Sequence, residues 1–159
     1  MTSSDKPQRP ASLAALIRAA RSTYALAIHA ALEEEGFDDL PRDGVFAISA
    51  ISRSDFSPGD LGRRHGVTKQ AISLLLDSLV LRHYVERTID PTDRRRMKLT
   101  LTERGLRVAA LTRKAADRIE QRVAEIVGKS YVEHTRATLT ALIELASEFD
   151  RSPRTATGG

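Results

Sequence analysis

The sequence predicts a mainly α-helical chain carrying one two-stranded β-hairpin, and three observations predict it. Apolar residues recur at three- and four-residue steps over most of the 159 residues, the period of amphipathic helices. Two alternating segments, Val85 to Ile89 and Met97 to Leu101, are separated by the seven residues 90–96, which reads as a hairpin with a long tip. Just before them, two short helical stretches are joined through His65-Gly66-Val67, the spacing of a helix-turn-helix.

The elements follow in order. Leu13, Leu16, Ile17, Ala20, Tyr24, Ala27, Ile28, Ala31 and Leu32 make residues 11–35 one long amphipathic helix, stopped by Gly36. Pro41 suits a first helical turn, and Val45, Phe46, Ile48, Ala50 and Ile51 give a short buried helix to about residue 52. Ser57-Pro58-Gly59-Asp60 combines an N-cap, an N1 proline and an early acid, so a short helix starts there and ends near Gly66. Thr68 caps the next helix, from Lys69 to about Arg82. After the hairpin, Thr102 can cap a helix whose apolar face runs from Leu106 to Val127, and Gly128 breaks it. A last helix carries Val132, Thr135, Leu139, Leu142, Ala146 and Phe149 at near-heptad spacing. The three long helices hold more apolar surface than one compact core of this size needs, so their stripes are expected to bury against a second copy.

Composition excludes several functions. Without cysteine there is no disulfide, thiolate metal ligand, cysteine nucleophile or thiol redox sensor. The polar start MTSSDKPQRP, and Arg18 and Arg21 inside the apolar stretch after it, argue against a signal peptide. No run approaches the roughly 20 apolar residues of a membrane span, so a cytoplasmic location is expected. The net charge of +4 is unevenly placed: residues 57–107 hold eleven of the 25 Lys/Arg and six of the 21 Asp/Glu, while acids outnumber bases by one elsewhere. Such asymmetry points to a polyanion-binding segment on a neutral scaffold.

Within that segment, about 100° per residue places Ile72, Leu75, Leu76 and Leu79 on one face of the 69–82 helix. The opposite face holds Gln70, Leu74 and Asp77, with Ser73 at its edge and Lys69 projecting from the first turn. A recognition helix presents its N-terminal residues to base edges in the major groove. There Gln70 can pair with adenine, Lys69 can reach guanine or a phosphate, and Leu74 can touch a thymine methyl. Thr68 and the open N–H groups of the helix start can hold a phosphate oxygen. The plainer alternative is a solvated face with a stray surface leucine.

Adjacent guanidiniums repel, so folding alone gives no reason for Arg94, Arg95 and Arg96 at a hairpin tip. A narrow tip can enter a minor groove, whose potential attracts arginine. Asp93, two residues before Arg95, can hold that guanidinium extended, leaving Arg94, Arg96 and Lys98 near flanking phosphates. A solvated charge run is again the bland reading.

The residues "DLGRRHGVTKQAISLLLDSLV" and "VERTIDPTDRRRMKLTLTERG" resemble the winged helix-turn-helix of the MarR family of bacterial transcription regulators, "DPTDRR" followed by "LTLTERG" most distinctively. The resemblance extends from about residue 11 to 149. It implies a winged helix-turn-helix flanked by long N- and C-terminal dimerisation helices. The implied function is an obligate homodimer on a pseudo-palindromic operator, usually repressing nearby genes and often released by a small ligand. By position, Thr68, Lys69, Gln70 and Ser73 match recognition-helix contacts, and Asp93 with Arg95 matches the wing-tip pair. Two departures stand out: many members have arginine at Leu74, and the usual glycine before the first wing strand is His83. Histidine tolerates positive φ better than most residues.

The expected organisation is a disordered tail over 1–10, scaffold and dimerisation helices over 11–52, the DNA-binding lobe over 53–105, dimerisation helices over 106–150, and a disordered tail over 151–159. A bacterial cytoplasmic protein, nucleoid-associated when bound to DNA, fits this layout. The four histidines, at 29, 65, 83 and 134, show no metal spacing, and there is no hydrolase, P-loop or dinucleotide motif. No metal, cofactor or enzyme activity is expected. Arg18, Tyr24 and Phe46 could contribute to an effector pocket, although the two aromatics are equally good core residues. A protein-docking module and a nonspecific architectural DNA binder are the competing functions.

Overall fold

The computed structural model describes residues 11–53, 61–62, 66–89 and 97–151, with backbone alone for Met97 and residues 146–151. The described residues form α1 (Leu13–Glu33), α2 (Gly44–Ser52), α3 (Lys69–Leu81), β1 (Val85–Ile89), β2 (Met97–Leu101), α4 (Glu103–Val127) and α5 (Lys129–Arg151). The two strands pair antiparallel, with Val85 opposite Leu101, Arg87 opposite Leu99 and Ile89 opposite Met97. The chain divides into two compact units, up to Ala116 and from Asp117, and the division falls within α4.

In the first unit, α1 begins where the Ser12 hydroxyl accepts the Ala15 N–H at 3.3 Å, a cap the periodicity alone does not reveal. It ends in a left-handed turn at Gly36 (φ 76°), with Phe37 N–H bonding back to Leu32 O at 2.9 Å and Gly36 N–H to Glu33 O at 3.0 Å. Leu32 and Phe37, brought together by this turn, are both buried. Pro41 lies outside the helix in which it is expected. Its carbonyl closes a turn by accepting Gly44 N–H at 2.7 Å, and α2 starts at Gly44. A side chain at Gly44 would meet Leu40 at 3.0 Å and Leu79 at 3.2 Å, so the glycine sets how closely α2 approaches α3.

The core gathers Leu32, Phe37, Ala47, Ile48, Ile51, Leu61, Ile72, Leu76, Leu79, Tyr84, Val85 and Val108. Each large side chain buried there contributes about 1.5–3 kcal/mol. Of the α1 stripe only Leu32 is buried, while Leu13 and Leu16 are exposed. Of the short helix expected over 57–66, only Leu61 and Gly62 are described, and both are helical and buried; the Ser57 cap lies outside the described residues.

The second unit comprises the end of α4 and α5, which meet at Gly128 in a left-handed conformation (φ 93°). Arg136 donates to Glu120 at 2.6 Å across the two helices. From Asp117 to Leu145 no described side chain is buried; Ile126 and Ile143 are 71% and 72% exposed. Of the apolar stripe expected on α5, Val132 and Leu139 are half-buried and Leu142 is exposed. Among the described residues, no helix is long and apolar enough to cross a membrane.

Candidate nucleic-acid interface

The candidate interface is built on α3. Thr68 adopts extended backbone (φ −69°, ψ 156°) and its Oγ1 accepts the Ala71 N–H at 3.2 Å, while Ile72 N–H bonds to Thr68 O at 3.1 Å. The turn before it depends on Gly66 (φ 65°) and on Val67 N–H donating to Gly62 O at 3.0 Å. Ile72, Leu76 and Leu79 lock one face of α3 into the core. Thr68, Lys69, Gln70, Ser73, Leu74 and Asp77 are consequently all exposed, as their spacing predicts. Leu74 is 64% exposed, which separates it from the leucines around it.

The end of α3 explains the histidine where glycine is usual. His83 takes φ 57°, its N–H bonds to Val80 O at 3.0 Å, and Tyr84 N–H bonds to Leu79 O at 2.9 Å. This is a left-handed helix stop, sealed by the buried side chains of Leu79 and Tyr84. It turns the chain directly into β1, fixing where the hairpin leaves the helix.

The hairpin base is held by Thr102. Its hydroxyl donates to His83 O at 2.6 Å and accepts the Gly105 N–H at 3.2 Å, so it caps α4 as predicted while gripping the strand entry. Lys98 is exposed on β2, across from Thr88. The tip residues Asp93, Arg94, Arg95 and Arg96 lie outside the described residues.

Sequence reasoning missed a polar cluster behind the hairpin. Arg104 donates from Nη2 to Asp39 at 2.7 Å and from Nη1 to Arg82 O at 2.9 Å, and its guanidinium lies 4.2 Å from the Tyr84 ring centroid. The Tyr84 hydroxyl also donates to Asp39. The Asp39 carboxyl is held below the ordinary carboxylate value, foremost by the Tyr84 hydrogen bond, with burial opposing and Arg104 adding to the effect. The Tyr84 phenol is pushed above its ordinary range, by burial first and the Asp39 bond second. The cluster ties the α1–α2 connection to the end of α3 and the start of α4. Separations of 45 and 65 residues put these pairings beyond any local pattern. A second missed contact joins the helix to the hairpin: Arg87 of β1 donates to Asp77 of α3.

Of the residues expected at an effector pocket, Arg18 is exposed on α1, Tyr24 is half-exposed there, and Phe46 packs against the core from α2. Among the described residues no group of His, Asp or Glu side chains is placed to hold a metal ion.

Residues 39–96, spanning α2, α3 and β1, match the sequence model of the MarR family. The match covers the helix-turn-helix and the first hairpin strand, so it is this segment that is similar to the MarR family. Solved structures extend the MarR likeness along the chain. The reduced form of MarR from E. coli is 20% identical with a TM-score of 0.64, covering 85% of this chain and 98% of that one. S. aureus MepR bound to ethidium bromide is 19% identical at 0.56, covering 86% and 98%. The transcriptional regulator Tm0710 from Thermotoga maritima is 21% identical at 0.55, covering 86% and 96%. At these identities the likeness shows the fold alone. No curated protein sequence matches the chain.

Proposed function

We propose that the chain is a sequence-specific double-stranded-DNA-binding transcription regulator, acting as a homodimeric repressor on a pseudo-palindromic operator. The observation that carries this reading is the exposed stripe of Thr68, Lys69, Gln70, Ser73 and Leu74 on a helix whose other face is locked in the core. That helix is pinned at both ends, by the Thr68 cap and the His83 stop, so base-reading groups project from a rigid mount. In this reading Gln70 pairs with adenine, Lys69 takes guanine or a phosphate, and Thr68 with the helix N-terminus takes a phosphate. Asp93 extends Arg95 into the minor groove, and Arg94, Arg96 and Lys98 meet the backbone.

The uncovered apolar side chains of the second unit support dimerisation, since a stable chain rarely leaves such a face in water. Release by a small amphipathic ligand belongs to the same reading, with Arg18, Tyr24 and Phe46 the residues to vary. S. aureus MepR has ethidium bromide bound, which makes an aromatic cation a reasonable first ligand to try.

The test is fluorescence anisotropy on operator variants. Arg95→Ala should cut affinity most on A·T-rich flanks, and Gln70→Ala should relax preference in the half-site core. Unchanged binding by both variants refutes the assignment. Retained partner binding without duplex affinity at low salt would instead indicate a docking module.

A further inference from the structure

We infer that Arg87 is a phosphate contact at the junction of recognition helix and hairpin, and that Asp77 positions it; the inference rests on the duplex-binding reading above. Asp77 lies three and seven residues beyond Leu74 and Gln70, so it shares their exposed stripe. A bare carboxylate there would face the phosphates and repel them. The structure instead gives it a partner from the other element: Arg87 reaches across from β1 and donates from Nη2 to Asp77 Oδ1.

The side chains are 49% and 52% exposed, for Arg87 and Asp77 respectively, and a pair this wet contributes little to folding. The surface on which it lies favours a role in binding. Arg87 stands opposite Leu99, on the side of the hairpin that carries Val85 and Leu101 inward, one step beyond the core and facing α3. Among the described residues Asp77 is its hydrogen-bond partner, through one nitrogen. Guanidinium offers five N–H donors in a fixed fork, so Nε and Nη1 remain to take a phosphate oxygen pair. Holding the long side chain in place beforehand reduces the rotamer freedom lost on binding.

The experiment uses the full-length protein and fluorescence anisotropy on two labelled duplexes of about 30 base pairs, room for two half-sites one turn apart. One is recovered by selecting genomic fragments on the purified protein, and the other is of random sequence. Affinity is followed from about 50 to 200 mM salt. Arg87→Gln should flatten the plot of log affinity against log salt by about 0.9 per bound protomer, on both duplexes. A general folding defect would lower the active fraction without changing that slope. Arg87→Lys should keep the slope and weaken binding, because the charge survives and the fork does not.

In a double-mutant cycle, Arg87→Gln should cost less in an Asp77→Asn background than in the wild type. An unchanged slope for Arg87→Gln, beside a steep wild-type slope, overturns the phosphate contact. An equal or larger cost in the Asp77→Asn background overturns the positioning role. If the wild type itself shows no salt-dependent duplex binding, the parent reading fails and takes this inference with it.

Discussion

Replacing Gly105 by alanine sets two effects of known size against each other. On helix propensity the change is favourable, since alanine exceeds glycine by up to about 1 kcal/mol inside a helix. Against it stands the contact between α4 and the hairpin entry. A Cβ at Gly105 would lie 2.1 Å from the Tyr84 carbonyl oxygen, 3.1 Å from its carbon and 3.3 Å from Leu101 Cδ2. The nearest atom is backbone, so no rotamer relieves it; α4 and the start of β1 must separate. Tyr84 is fully buried, and the same carbonyl accepts the Thr102 N–H at 3.2 Å. Overpacking of this kind costs about 1–3 kcal/mol, and a weakened hydrogen bond adds about 1 kcal/mol. The clash wins, and Gly105→Ala should destabilise by roughly 1–3 kcal/mol after the propensity gain. At about 2–4 °C per kcal/mol for a chain of this length, calorimetry should show Tm falling by roughly 2–12 °C. A rise in Tm would refute the reasoning, because it would mean that the approach of Gly105 to Tyr84 is looser than described.

Three further outcomes follow from other parts of the molecule. Asp39 titrates below its ordinary value of 3.8, so its contribution to stability is present above that pH and is lost as pH falls through the lower folded value. Urea midpoints of the wild type should therefore fall more steeply in acid than those of Asp39→Asn. Leu74, if it meets a thymine methyl, should make binding sensitive to replacing that thymine by uracil; Leu74→Ala should bind both duplexes equally in anisotropy titrations. Ile143→Glu places a charge on the uncovered α5 face and should convert a dimer to monomer in analytical ultracentrifugation, with the helical circular dichroism of the first unit retained.

Much of the fold is legible because its signals are local. The strand limits at 85–89 and 97–101 follow from strict alternation, and the Thr68 and Thr102 caps from residue type and position. Departure from the usual glycine drew attention to His83, and its positive φ is what the helix stop requires. Exposure of Leu74 follows from helical phase. What could not be read depends on tertiary placement. Pro41 satisfies the local rule for a helix start, yet its carbonyl closes a turn with the Gly44 N–H and the helix begins three residues on. The Asp39–Tyr84–Arg104 cluster and the Asp77–Arg87 pair join elements whose juxtaposition no periodicity encodes. The arrangement at the wing tip is a sequence expectation resting on Asp93 and Arg95.

The most direct test of a sequence-specific regulator is selection of sheared genomic DNA on the purified protein, followed by sequencing of the bound fragments. The account predicts strong enrichment of a few fragments sharing two inverted half-sites whose centres lie about one helical turn, roughly 10 base pairs, apart. Recovery of fragments no different from the input, at low salt where backbone contacts are strongest, would contradict it.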